Sequence, residues 1–152
     1  MIEQVLLVAI LVIAAGGAAW DIARRQIPNW LCLVLALVAA AYSFSMFGIQ
    51  GLAWAGLHGL AALLVGMGLF ALGAIGGGDA KFYTAGALSL QMSQALPMLA
   101  ATALSGFVLM IVMVIGRRFV SRANFSVSEL RKMQLPYGVA IAAGLAITLI
   151  GY

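Results

Sequence analysis

Charge is scarce in this chain. Of 152 residues eight are basic and four acidic, 8% in all, while 65% are hydrophobic and the mean hydropathy is +1.15. A soluble domain carries about 25% charged residues, so a water-soluble globule is excluded and a bilayer is the expected solvent. Cysteine is nearly absent too: the lone Cys32 allows neither a disulfide framework nor a Cys-x-x-Cys metal site. One histidine and four carboxylates are too few and too scattered for a zinc site, and no metal or cofactor is expected. No basic region precedes the first apolar run. Glu3 is the first charged residue, and Arg24 and Arg25 follow the run, so the segment reads as a retained span rather than a secretory signal. Long linkers and low-complexity tracts are missing as well, which leaves a single membrane-embedded domain over residues 1–152.

What is present is apolar runs. A transmembrane helix needs about 20 mostly apolar residues, and runs near 4–20, 30–48, 52–75, 80–94, 96–116 and 135–152 predict an all-α, polytopic protein with six transmembrane helices. Lysine and arginine concentrate in cytoplasmic loops. With both termini outside the cytoplasm, the inner connections are Asp21–Asn29, Gly76–Lys81 and Arg117–Gln134, and these hold all eight basic residues. The net charge of +4 is thereby accounted for as topology, with no nucleic-acid partner implied.

The same topology places the acids. Glu3 falls at the outer end of the first span and Glu129 in a basic inner loop. Asp21 and Asp79 each stand at the cytoplasmic end of an apolar run, with two crossings between them, and so at similar depth. Aspartate within a membrane costs about 2.5–3.5 kcal/mol at a helix centre on insertion scales. Two carboxylates close together share a proton, and such a pair can cut a peptide bond. The ionised member takes a proton from water while the protonated one polarises the carbonyl. Gly76, Gly77 and Gly78 before Asp79 would permit positive φ and close approach of an extended substrate. The plainer alternative has Asp21 paired with Arg24 or Arg25, Asp79 paired with Lys81, and the glycines merely separating two helices.

The motifs go further than spacing. GGGDAK at Gly76–Lys81 resembles the GxGD motif of intramembrane aspartyl proteases. DIARRQIPN at Asp21–Asn29 resembles the first catalytic segment of the type IV prepilin peptidases, and LPYGVAIAAG at Leu135–Gly144 resembles their last helix. This resemblance implies catalytic roles for Asp21 and Asp79. It also implies cleavage of the basic leader of prepilin- or pseudopilin-like proteins at the cytoplasmic face of the inner membrane. Long members carry an inner domain with paired Cys-x-x-Cys motifs linked to methylation of the new N-terminus. Here the equivalent connection is only Asp21–Asn29, so no methyltransferase activity is expected, and the compact form is similar to peptidases of Tad/Flp-type pilus systems.

Other residues have two readings each. Pro28 and Pro136 suit helix starts, but Pro136, Tyr137 and Gly138 share the depth of the aspartates and are candidate substrate-lining residues. Asn29 could cap a helix or donate to a substrate, and Lys81 could snorkel to headgroups or contact substrate. Tyr83 lies on the face of Asp79. His58 falls near the outer third of its span and reads as packed. Gly73 and Gly77 have a spacing that suits close helix contact, and VSELRKM in the third inner loop suggests a short amphipathic helix. The competing function is a small proton or ion translocator using Asp21 and Asp79 as relays. It predicts carboxylates near mid-membrane, and these stand at one edge. Another is a structural protein of a pilus or secretion assembly. The oligomeric state has no signature in the sequence.

The eight-to-none basic bias makes the topology testable. Single cysteines replacing Arg24, Lys81 and Arg122 in a Cys32→Ser background should react with an impermeant thiol reagent only from the cytoplasmic side; reaction of position 122 solely from outside would reverse the orientation.

Overall fold

A computed structural model describes residues 1–120 and 135–151, with side chains described through residue 116 and from 135 onward. Every regular element among them is helical. Helix α1, Ile2–Arg24, spans about 35 Å at 1.5 Å per residue, enough for a hydrocarbon core of about 30 Å. Its buried residues are Ile10, Ala14, Gly17 and Asp21. That spacing of four, three and four forms one stripe on a helix, whereas Val5, Val8, Val12 and Ile22 on the other faces are exposed. Asp21 therefore points inward because it continues the packing stripe.

Helix α2, Asn29–Ala71, is interrupted at Gly48, whose φ of 64° and ψ of −159° are not helical. Only glycine takes that conformation without strain. The chain reverses there. Both arms meet helix α3, Gly77–Ala87, and they meet it in opposite order. On the first arm Asn29 reaches Lys81 and Ser43 reaches Leu88. On the second, Gly59 abuts Leu88 and Gly66 abuts Ala80, where a Cβ on Gly66 would lie 3.0 Å from that of Ala80. The second and third apolar runs are thus the two antiparallel arms of one interrupted helix.

The fourth expected span, 80–94, is helical only to Ala87. Beyond it Ser89 returns to Gly86, its hydroxyl donating at 2.7 Å, and a 3-10 turn, Met92–Gln94, follows. Helix ends leave carbonyls without intrahelical partners, and buried polar side chains take them up. The Ser43 hydroxyl donates to the Leu88 carbonyl at 2.8 Å, and His58 Nδ1 donates to that of Leu90 at 3.3 Å. Gln91 reaches the Gly51 carbonyl at 3.3 Å, next to the reversal. His58 is accordingly a packed histidine, 2% exposed.

Helix α4, Ala95–Val120, packs along helix α5, Tyr137–Gly151. The tightest contact is at Gly144, where a Cβ would overlap Thr102 Oγ1 and lie 2.6 Å from the Thr102 backbone nitrogen. Among the described residues three helices are long and apolar enough to cross a membrane by length and composition: Ile2–Arg24, Asn29–Ala71 and, counted with the 3-10 turn, Met92–Gly116. At the end of the bundle that holds Asp21, Trp20 and Trp30 meet edge to face at 6.1 Å, and Arg24 lies 4.9 Å over the Trp20 ring. This is the aromatic and cationic chemistry of a membrane interface. Arg122, Glu129, Arg131, Lys132 and the VSELRKM segment lie outside the described residues.

Gly144→Ala should destabilise the protein in detergent by about 1–3 kcal/mol, the usual cost of overpacking, because its Cβ meets backbone that cannot step aside. Gly16→Ala, with nothing within 4 Å of its Cβ, is the matched control. Equal thermal midpoints for the two variants would refute the close α4–α5 contact.

Candidate active site

Asp21 closes the last turn of α1. After it Arg25 takes a left-handed conformation, φ 55°, and its N–H returns to the Asp21 carbonyl at 2.9 Å. This ends the helix and turns the chain toward Ile27 and Pro28. The Asp21 carboxylate is 5% exposed and accepts the backbone N–H of Gly138 at 2.8 Å. Gly138 lies in the first turn of α5, where N–H groups lack intrahelical partners and the helix dipole favours an anion. A side chain there has no room: a Cβ would stand 2.9 Å from Asp21 Cβ and 3.0 Å from Ile27 Cδ1.

Asp79 is delivered by the connection from α2 to α3. Helix α2 ends with Gly73 in the left-handed region, φ 71°. The Gly73 N–H bonds to the Phe70 carbonyl and the Ala74 N–H to that of Leu69, each at 2.9 Å. This paired pattern is the Schellman motif, which requires a residue tolerant of positive φ. Gly76 then caps α3, and the N–H of Gly76 donates to Asp79 Oδ2 at 3.2 Å. Asp79 thus plays the acidic half of a capping box.

The glycine triplet differs from expectation. Gly76 has φ −75°, and Gly77 and Gly78 are helical. Positive φ falls instead at Gly73 and Gly48, because a left-handed residue is needed where α2 ends and where it reverses, not where α3 begins. What the triplet supplies is closeness. A Cβ on Gly76 would lie 2.8 Å from Asp79 Oδ2, and one on Gly78 would lie 3.6 Å from the Ile27 backbone. Gly73 and Gly77 do not share a helix, so their spacing makes no helix-contact motif.

The two carboxylates line one cavity of about 680 Å³, together with Asn29, Gly76, Gly77, Gly78 and Tyr137. The Asp79 carboxyl, in the first turn of the short helix α3, is raised to about 6, chiefly by desolvation and then by the charge of Asp21, against the Gly76 N–H that lowers it. Proximity to another carboxylate and burial both disfavour the ionised form, so this pair suits sharing a proton.

The remaining candidates separate. Lys81 donates to Asn29 Oδ1 at 3.0 Å, a bond between the start of α2 and the start of α3 at the exposed rim. Gly138 binds Asp21 directly, and Tyr137 lines the cavity. Pro136 is buried and its carbonyl accepts the Val139 N–H at 3.1 Å, which makes it a helix starter. Arg24 lies on Trp20. Gln26, Ile27 and Leu135 line the cavity without having been singled out, and Arg25, offered above as an ion partner for Asp21, lines it too. For Ile27 the signal was available: an apolar residue between charged neighbours and Pro28, in a connection otherwise expected to be solvated.

Comparison with curated proteins and with solved structures returns no match. The type IV leader peptidase family matches residues 5–114, a stretch that includes both aspartates and ends before Gly138. With well over half of its length matched, this apolar, helical membrane protein belongs to the type IV leader peptidase family.

Proposed function

We propose that Asp21 and Asp79 are a water-activating pair that removes the basic leader of prepilin-like proteins at the cytoplasmic face of the inner membrane. The observation that carries this reading is the shared cavity, in which each carboxylate is held by a backbone N–H at the start of a helix. The roles divide by environment. Asp21, accepting a short N–H bond, is the ionised member and draws a proton from water as that water attacks the scissile carbonyl. Asp79 is the protonated member and gives its proton to the carbonyl oxygen. On collapse of the tetrahedral intermediate the proton on Asp21 passes to the leaving nitrogen and that of the hydroxyl returns to Asp79. One water is consumed, and the products are a carboxylic acid and an amine.

Six crossings, with both termini outside the cytoplasm, suit this chemistry, because they put Arg24, Lys81 and the leader on one side. A single peptidase domain of the compact Tad/Flp-like kind, without methyltransferase activity, follows from the short Asp21–Asn29 connection. Proton translocation fares less well. Among the described residues the hollow leading from Asp79 toward His58 is lined mainly by apolar side chains, with Tyr83, Thr102 and Tyr137 the polar exceptions between them.

Asp21→Asn and Asp79→Asn should each lower cleavage of a purified prepilin-like substrate by at least about 10²–10⁴-fold, the usual worth of general acid–base catalysis, at matched folded concentration. The double variant should be no worse than either single one, since residues acting as a unit lose their joint effect once. Robust turnover by either asparagine variant removes the aspartyl mechanism.

The pH profile follows from Asp79. Its carboxyl serves as an acid only while protonated, and that form prevails below about 6 and is lost above it. Values of kcat/KM report the free enzyme, so they should fall as pH rises through about 6, whereas a carboxyl at its ordinary 3.8 would put that limb about two units lower. The profile belongs to the pair rather than to one residue.

A further inference from the structure

Beside the carboxylate cavity lies a second hollow of about 520 Å³. It runs between the second arm of α2 and α4 and is floored by α3 and α5. Its α2 wall extends from His58 to Leu69 and its α4 wall from Ala95 to Met110. At 1.5 Å per residue these walls are about 16 and 22 Å long. Ile75, Asp79, Leu135 and Tyr137 line both hollows, so the groove opens at its cytoplasmic end into the chamber that holds the aspartates. Leu69, Val65 and Leu99 on its rims are 39%, 62% and 53% exposed, and its lining includes Gly66, Ala80, Ala103, Gly106 and Ala140.

We propose that this groove receives an apolar helix of the protein being cleaved, the segment that follows the cut bond, and that it delivers the cytoplasmic end of that helix to Asp79. The proposal rests on the peptidase reading above. A polypeptide lying within the bilayer must satisfy its own backbone and is therefore helical, and such a helix binds best where small residues let the backbones approach. The lining supplies glycine and alanine from four helices. Continuity with the carboxylate chamber selects a polypeptide over a lipid chain. Whatever lies in the groove ends against Asp79, and a substrate whose bond is cut there must continue somewhere from it. The chamber provides the polar surroundings in which the helix can unwind, and the groove holds the part that stays wound.

The test is photo-crosslinking in phosphatidylethanolamine–phosphatidylglycerol vesicles, using Asp79→Asn protein so that the substrate stays uncut. Benzoylphenylalanine replaces Leu99 or Leu69 on the two walls, or Leu33 or Leu37 on the outer face of α2, which are 61% and 64% exposed. The probe partner is a prepilin-like protein with a basic leader and an adjoining apolar segment. Adducts mapped to that apolar segment from positions 99 and 69, at least about tenfold above those from 33 and 37, are expected, with Gly106→Trp reducing the yield from 99 by a similar factor. Equal yields from all four positions, adducts only to lipid, or adducts only to the leader would overturn the groove. Cleavage by the otherwise wild-type protein is read separately. Cleavage without groove adducts sinks this proposal alone, whereas groove adducts without any cleavage sink the peptidase reading and leave a helix-binding groove.

Discussion

The hydrogen bond from the Gly138 N–H to the Asp21 carboxylate joins the first helix of the bundle to the last, and the site is arranged around it. The C-terminal turn of α1 is a poor place for an anion, because unpaired carbonyls point the same way as the carboxylate. The start of α5 offsets this by presenting an N–H that its own helix cannot use. The bond also explains a glycine. Any side chain at 138 would push against Asp21 and Ile27, so the same close approach that supplies the donor forbids substitution there. Ile27, in turn, lies under Gly78, one residue before Asp79, and so the packing of one apolar side chain links the settings of both carboxylates.

The two ends of the bundle solve the same problem in different ways. At the end away from the aspartates α3 stops after 11 residues, too short to cross a bilayer without the irregular stretch that follows it, and its free carbonyls lie in the protein. Ser43, Ser89 and His58 take up carbonyls there or just beyond. Irregular backbone at membrane depth is tolerated where it is enclosed in this way, and that end is closed. At the other end the helix starts face a cavity and their N–H groups hold carboxylates. Chemistry becomes possible where polar groups meet a space instead of each other.

Much of this was legible beforehand. The common depth of Asp21 and Asp79 follows from counting the two apolar runs between them, whereas the inward aim of Asp21 emerges only once Ile10, Ala14 and Gly17 are seen to form the buried stripe of a helix that is apolar on every face. The reversal near Gly48 was visible as a break between runs. The details that escaped are those set by tertiary contact. Which glycine needs positive φ depends on where a helix stops, and α2 ended early enough to assign that role to Gly73 rather than to the triplet. Lys81 could have reached headgroups, substrate or carboxylate, and only the approach of α2 to α3 gives it Asn29. The backbone donor for Asp21 comes from a residue 117 positions away, and nothing in spacing alone joins those two helices.

Residue order adds a consequence. A chain is made from its N-terminus, so α1 with Asp21 is in the membrane well before α5 exists, and α3 with Asp79 follows while Gly138 is still to come. Until the last helix arrives, Asp21 lacks the donor that holds it and the cavity lacks Leu135 and Tyr137 from its wall. The nascent protein thus carries Asp21 through most of its synthesis, and Asp79 through a later part of it, in an unassembled state, and α5 acts as the keystone that brings the two acids into one cavity.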